Sequence, residues 1–226
     1  MKIYLRDRNP LMVEAWKHYF TEANDVDIST GDIFVGLEEP IDAIVSPANS
    51  FGFMDGGIDY VYSLKFGWDM SDRLRKEILA VYGGELLVGS AHIIETGSED
   101  IPWLVCAPTM RVPIDVSETV NAFLAFRGAL YAVKLHNWRA KNKGHVEPIK
   151  SILCPGLGTA VGHMSAENCA RQMYEAYKQC IRKKIPIYET LGDAYRQHFI
   201  MAGHTGQSAD TPVLQPKPKE DEPDQT

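Results

Sequence analysis

The stretch that decides the fold is IDAIVSPANSFGFMDGGID, residues 41–59. The segment from Asp42 to Ser46 is a short apolar run of strand length, and Pro47 ends it. Asn49 comes next, at the position where open α/β sheets bind ligands beyond the carboxyl ends of their strands. The glycine pair at 56–57 lets the backbone approach a ligand closely. The stretch therefore predicts a buried strand that opens into a pocket for a phosphorylated sugar.

A second glycine turn of the same kind comes late in the chain. A predicted strand, Ser151 to Cys154, runs into Pro155-Gly-Leu-Gly-Thr-Ala-Val-Gly162, and a helix is expected to begin near Ser165. Two strand–turn–helix units, both rich in glycine, predict a site built from two parts.

Composition bounds the class of protein. The chain has 226 residues, of which 45% are hydrophobic and 23% charged, which predicts one substantial core rather than two large domains. The formal net charge of −7 argues against a general nucleic-acid-binding protein. A phosphate ligand would therefore depend on backbone N–H groups in glycine turns and on helix N-termini.

The four cysteines lack the CxxC spacing of metal sites and fall on predicted strands and a helix. We expect reduced core cysteines, with no disulfide and no metal. The N-terminus does not resemble a signal peptide, and no apolar run reaches membrane-spanning length. These patterns predict a soluble, cytoplasmic protein that does not bind membranes.

The order of predicted elements indicates an α/β domain. Asn9 and Pro10 mark the start of a first helix, and a helical segment over 58–81 is expected to break near Gly67. Asp115 and Glu118 have the spacing of a capping box before a long amphipathic helix, whose apolar face is expected in the core. Strands interleaved with helices predict helices on both faces of a mixed, mainly parallel sheet.

Three segments together resemble the macrodomain family, whose members bind ADP-ribose and in some branches hydrolyse ADP-ribose linkages. They are Gly31-Asp32-Ile33, the turn Pro47-Ala48-Asn49 with Gly56-Gly57-Ile58-Asp59, and Gly156-Leu-Gly-Thr-Ala-Val-Gly162. The resemblance covers about residues 1–185 and implies a three-layer α/β/α fold. We expect a macrodomain over 1–202 and a disordered acidic, Pro-rich tail over 203–226.

The resemblance also implies a role for each segment. Asp32 would accept a hydrogen bond from the adenine amine, Asn49 would bind the ribose distal to adenine, and Asp59 would activate water for attack at the anomeric carbon. The glycine turn at 156–162 would place backbone N–H groups on the diphosphate. Asn49 and Asp59 are the implied catalytic residues. The implied ligand-binding residues are Asp32, Ile33, Ala48, Asn49, Gly56, Gly57, Ile58, Gly156, Leu157, Gly158, Thr159, Ala160, Val161, Gly162 and His163.

Each of the three polar residues also has a structural interpretation. Asp32 could be an ordinary Asx-turn residue, and Asn49 could stabilise the turn after the strand. Asp59 could be a first-turn acid stabilised by the helix dipole.

The chain departs from the family pattern in two places. Met54-Asp55 replaces part of a glycine run that hydrolase branches carry, and Ala160 and Gly162 stand where glycine and an aromatic residue are common. Stacking on the distal ribose would then fall to one of three other rings, those of Phe51, Phe53 and His163.

Four functions remain open on this basis: an ADP-ribosyl hydrolase, a non-catalytic reader of ADP-ribosylated targets, an ADP-ribose 1''-phosphate phosphatase, and a Rossmann-type NAD enzyme. A phosphatase could use His163 as nucleophile or acid. The Rossmann reading rests on Gly156-x-Gly158, which lacks the usual spacing and the usual position after the first strand. ADP-ribose, free or on a macromolecule, is the expected partner as ligand, with no further cofactor. The oligomeric state stays open.

Overall fold

In the computed structural model, the chain forms a six-stranded sheet with helices on both faces. The structure describes residues 1–37, 39–144 and 146–204. The strands are β1 (Lys2–Asp7), β2 (Val26–Thr30), β3 (Ala43–Ser46), β4 (His92–Glu95), β5 (Trp103–Cys106) and β6 (Ser151–Cys154). The helices are α1 (Pro10–Tyr19), α2 (Gly57–Phe66), α3 (Asp69–Tyr82), α4 (Asn121–Lys143), α5 (Ala166–Cys180) and α6 (Leu191–Ala202).

The strand order is β2-β1-β6-β3-β5-β4, with β4 antiparallel to β5 and the other neighbours parallel. Helices α1, α4 and α5 pack on one face of the sheet, and α2 and α3 pack on the other. The prediction of a three-layer α/β/α fold with a mainly parallel sheet is confirmed.

Strand β3 is buried on both faces, which explains why its sequence is apolar without alternation. Ala43 and Val45 pack under α1, α4 and α5, whereas Ile44 packs under α2 and α3. Full burial of a side chain such as Ile44 stabilises the fold by roughly 1.5–3 kcal/mol.

Local sequence signals account for most helix ends. The Asn9 side chain accepts a hydrogen bond from the Leu11 N–H at 3.0 Å, and Pro10 is the first residue of α1, as predicted. Gly67, with φ +97°, separates α2 from α3, so the predicted break is confirmed.

Two expectations about helices were wrong. The capping box at Asp115 and Glu118 does not form, because α4 begins only at Asn121 and the Asp115 carboxylate accepts from the Ser117 N–H at 2.8 Å. The apolar face of this helix was expected in the core, but Tyr131, which belongs to that face, is 40% exposed.

The sequence reading also left residues 185–202 without an element, although α6 forms there. A capping box of Thr190 and Asp193 starts this helix. The Gln172 side chain donates to the Met201 carbonyl at 3.1 Å and joins α6 to α5.

The four cysteines are buried and free, as expected. Within the described residues, no helix combines the length and the apolar character needed to cross a bilayer. The cytoplasmic location and the domain boundary at 202 stay predictions, and residues 205–226 of the expected tail lie outside the described residues.

Candidate functional site

A cleft of about 400 Å³ lies across the carboxyl ends of four neighbouring strands. Asp7 ends β1, Gly156 follows β6, Asn49 follows β3 and Thr109 follows β5, and all four residues line the cleft. The strand order β1-β6-β3-β5 places them side by side, because parallel strands end at the same edge of a sheet.

One wall of the cleft is the turn at 156–162. The Gly156 N–H donates to Asp7 Oδ2 at 3.0 Å, and the Leu157 N–H donates to Cys169 Sγ at 3.2 Å. In the part of the chain that the structure describes, the N–H groups of residues 158–162 donate to no protein acceptor. A row of free N–H groups can hold an anion by hydrogen bonds. Gly156 does not join it, because its N–H is already engaged.

The shape of this turn explains one departure from the family pattern. A Cβ atom at Gly162 would lie 2.6 Å from the Gly158 carbonyl oxygen and 2.6 Å from Val116 Cγ2. Gly158 itself has φ +71°, a conformation that glycine adopts without strain. The turn therefore has no room for the aromatic side chain that many family members carry at 162.

Asp59 lies across the cleft, in the first turn of α2. It is 6% exposed, and its Oδ1 accepts a hydrogen bond from the Ser46 hydroxyl at 2.6 Å. Burial raises the pKa of the Asp59 carboxyl to about 7, and the Ser46 hydrogen bond works against that rise. A carboxylate with a pKa near neutrality can accept a proton from water at physiological pH.

Asn49 lines the cleft, but its side-chain amide is bonded to the loop that follows it. Its Oδ1 accepts from the N–H groups of Phe51 at 3.1 Å and Phe53 at 3.3 Å, and its Nδ2 donates to the Phe53 carbonyl at 2.8 Å. The side chain therefore stabilises the turn, which is the structural interpretation raised above.

The two residues that depart from the glycine run, Met54 and Asp55, lie in different places, one in the core and one at the cleft. Met54 is buried under α2 and α3, and its carbonyl accepts from the Ser63 hydroxyl at 2.7 Å. Asp55 is exposed at the rim of the cleft, beside Gly56 and Gly57.

Asp32 lies outside the cleft lining, after β2, which is the strand next to β1. Its Oδ1 accepts from the Phe34 N–H at 2.9 Å, and its other oxygen pairs with Arg8. The Phe34 N–H and the Arg8 guanidinium lower the pKa of Asp32. The contact with Phe34 is that of an Asx turn.

The structure brings most of the predicted site residues together. The cleft is lined by Ala48, Asn49, Gly56, Gly57, Ile58, Asp59, Gly156, Gly158, Thr159, Ala160, Val161 and Gly162. Four others lie outside it: Asp32, the buried side chains of Ile33 and Leu157, and His163. His163 is exposed and contacts the Asp115 carboxylate at 3.2 Å. Among the candidate rings, Phe53 also lines the cleft, whereas Phe51 does not.

Sequence reasoning missed Asp7, Thr109 and Met110, which also line the cleft. Asp7 and Thr109 follow the same rule that identified Asn49, since Asp7 is the last residue of β1 and Thr109 lies just beyond the carboxyl end of β5. Applying that rule to every strand would have found both residues.

Comparison with known proteins identifies the family. A family model described as Macro domain matches residues 45–173. An uncharacterized protein of Aquifex aeolicus is 31% identical over 167 residues, covering 72% of this chain and 89% of that protein. An uncharacterized protein of Aeropyrum pernix is 29% identical over 173 residues, covering 75% of this chain and 80% of that protein.

Solved macrodomain structures share the fold. The macrodomain of Mycobacterium tuberculosis DarG matches with a TM-score of 0.52 and 21% identity, covering 67% of this chain and 88% of that one. The Oceanobacillus iheyensis macrodomain with ADP matches with a TM-score of 0.53 and 18% identity, covering 68% and 75%. A mutant of the same macrodomain with ADPR matches with a TM-score of 0.50 and 17% identity, covering 62% and 71%. Since the family model spans more than half of the sequence, the chain belongs to the macrodomain family.

Proposed function

We propose that this macrodomain binds the ADP-ribose group of a modified macromolecule and hydrolyses the bond that attaches it. One observation carries the proposal: the buried carboxylate of Asp59 and the free N–H groups of 158–162 line the same cleft. The first can activate water and the second can hold a diphosphate.

Binding would use the cleft along its length. The diphosphate would accept hydrogen bonds from the N–H groups of 158–162, and the distal ribose would lie between Asn49 and Asp59. Adenine would extend toward Asp32, beyond the β1 end of the cleft. Family membership supports ADP-ribose as the ligand, and the structures of the Oceanobacillus iheyensis macrodomain include one with ADP and one with ADPR.

Hydrolysis would use Asp59 and one water molecule. Ionised Asp59 would take one proton from a water molecule while the water oxygen forms a bond to the anomeric carbon of the distal ribose. The bond from that carbon to the attached group breaks, and the leaving group departs with the electron pair and takes a proton from solvent. Asn49 would position the ribose indirectly, because its side chain bonds the backbone of Phe51 and Phe53 and so fixes the loop beside the ribose.

A reader that binds without cleaving is the second candidate. It is favoured by the engagement of the Asn49 amide with its own loop and of Asp59 Oδ1 with Ser46. The phosphatase has less support, because His163 is absent from the cleft lining. Macrodomain membership removes the basis for the Rossmann-type NAD enzyme.

The test combines binding with turnover. Isothermal titration with ADP-ribose, with AMP and NAD for comparison, should show preferential binding of ADP-ribose. Asp59→Asn, which keeps the size of the side chain, should bind ADP-ribose but release none from ester-, amide- or base-linked conjugates. Asp55→Asn is the matched control, since Asp55 is the exposed carboxylate at the rim of the same cleft.

Turnover that persists in Asp59→Asn would remove the general-base assignment. Binding by the wild-type protein without any product release would establish the reader instead.

A further inference from the structure

A second cavity, of about 380 Å³, lies beside the cleft. Phe53 lines both, so its ring forms part of the wall between them. The second cavity is otherwise lined by Phe51, Asp72, Arg75, Lys76, Leu79 and Gly84. It adjoins the end of the cleft at which the distal ribose, and the group attached to it, would lie under the proposed function.

The loop between the two cavities is held so that its two phenyl rings remain outside the core. Gly52 has φ +75°, and a Cβ atom there would lie 2.9 Å from Ile78 Cδ1 and 3.1 Å from Leu74 Cγ. The Gly52 carbonyl accepts a hydrogen bond from the Ser71 hydroxyl at 3.0 Å. These contacts fix Gly52 against α3, and Phe51 and Phe53 lie on either side of it in the chain. Phe53 is 45% exposed. Two phenyl rings therefore line the second cavity from a loop that is held in place.

The rim of the second cavity carries positive charge. The Arg75 guanidinium lies 4.3 Å from the centre of the Phe53 ring and 3.6 Å from the Asp72 carboxylate. Lys76, on the next position of α3, is exposed. An apolar floor with cations at the rim matches a ligand that combines an apolar side chain with a carboxylate.

We propose that the second cavity binds the polypeptide segment beside an ADP-ribosylated residue, with an apolar side chain against Phe51, Phe53 and Leu79 and a carboxylate near Lys76. This inference rests on the proposed function, since the modified residue must sit in the cleft. A peptide fits better than a nucleic-acid strand for two reasons. The rim cations are interspersed with Asp72, and the chain has a net charge of −7, which disfavours a run of phosphates.

The experiment compares free ADP-ribose with ADP-ribose joined through a non-hydrolysable linkage to short peptides. One peptide carries Leu and Glu beside the modified position, and its matched partner carries Ser and Lys. Isothermal titration should show the Leu/Glu conjugate binding about fivefold more tightly than free ADP-ribose. Lys76→Glu and, separately, Leu79→Ser should each remove most of this gain while changing the affinity for free ADP-ribose by less than about twofold. Both residues are exposed, so the variants should fold.

Lys141→Glu is the control, since Lys141 is an exposed residue near the end of α4, on the opposite face of the sheet. It should leave every affinity unchanged.

Equal affinity of the two peptide conjugates, or a gain that survives both Lys76→Glu and Leu79→Ser, would overturn the second site while leaving ADP-ribose binding intact. An ADP-ribosylated oligonucleotide that gains more than the peptide and depends on Lys76 would overturn the choice of a polypeptide. If wild-type protein does not bind free ADP-ribose, the proposed function fails first and this inference fails with it.

Discussion

The Ser46 hydroxyl donates a 2.6 Å hydrogen bond to Asp59 Oδ1, and so joins the last residue of β3 to the first turn of α2. Ser46 is buried, and its hydrogen bond favours the ionised form of a carboxyl that burial otherwise keeps protonated. The pKa of the proposed general base therefore depends on a serine that does not line the cleft.

Ser46→Ala should raise the pKa of Asp59 above its value of about 7, because the ionised form loses a hydrogen bond. Loss of one hydrogen bond of this kind should raise the pKa of Asp59 by about one pH unit. Carboxyl NMR titration of wild-type and variant protein measures the shift without relying on turnover. Ser50→Ala is the control, since Ser50 is also a buried serine and its backbone bonds Met110, Arg111 and Leu86 rather than Asp59. An identical titration of Asp59 in Ser46→Ala would show that the hydrogen bond does not tune the carboxyl.

Asp59→Asn should stabilise the fold, and more so at alkaline pH. In the unfolded chain the carboxyl ionises near 3.8, whereas in the fold it ionises near 7. As pH rises between these values, the unfolded state gives up its proton first, so the stability of the wild-type protein falls until the folded carboxyl has also ionised. Asparagine does not ionise, so the variant does not lose stability in this way. The unfolding free energy of Asp59→Asn should therefore exceed that of the wild type by roughly 2–3 kcal/mol more at pH 8 than at pH 5.

Denaturant unfolding of both proteins at the two pH values measures this difference. The rim variant Asp55→Asn is the control for the removal of an exposed carboxylate. A constant difference between wild type and Asp59→Asn at the two pH values would contradict the raised pKa.

Asp32→Ala should weaken ADP-ribose binding by about tenfold, since adenine would lose a charge-assisted hydrogen bond. Ribose 5-phosphate, which lacks adenine, should lose little. Isothermal titration of both ligands measures the difference. Asp27→Ala is the control, because Asp27 is an exposed residue of β2, the strand that Asp32 follows. Equal losses for the two ligands would remove the adenine role and leave Asp32 as the Asx-turn residue that accepts from Phe34.

Gly162→Ala should destabilise the fold by about 1–3 kcal/mol and weaken diphosphate binding, because its Cβ would meet the Gly158 carbonyl and Val116. Gly192→Ala in α6 should instead stabilise it by about 0.5–1 kcal/mol, since its Cβ would have ordinary contacts at 3.5 Å and beyond. Thermal unfolding and ADP-ribose titration of the two variants provide the comparison. A Gly162→Ala protein as stable as the wild type would mean that the turn relaxes freely.

Local patterns were sufficient for the elements and their order. The apolar run at 42–46, the glycine break at 67 and the caps at Asn9 and Ser165 each act within a few residues, so one sequence reveals them. The start of α4 was misjudged because Asp115 can bond either a helix end or a nearby turn, and spacing alone does not separate the two. Helix α6 was missed although Thr190 and Asp193 form a capping box at its start. The Gln172 side chain of α5 bonds the Met201 carbonyl and so attaches α6 to the domain.

By itself, the sequence determined the macrodomain resemblance, the two glycine-rich turns and the mainly parallel sheet, since these depend on short-range spacing and on residue type. Only the tertiary structure decided that Asp7 takes the Gly156 N–H, that Asn49 bonds its own loop and that Ser46 meets Asp59. Strand order alone places the ends of β1, β6 and β3 side by side, and burial alone raises the pKa of Asp59. Hydrogen-bond choice and desolvation depend on which distant segments meet, and that information lies in the packing of the whole domain.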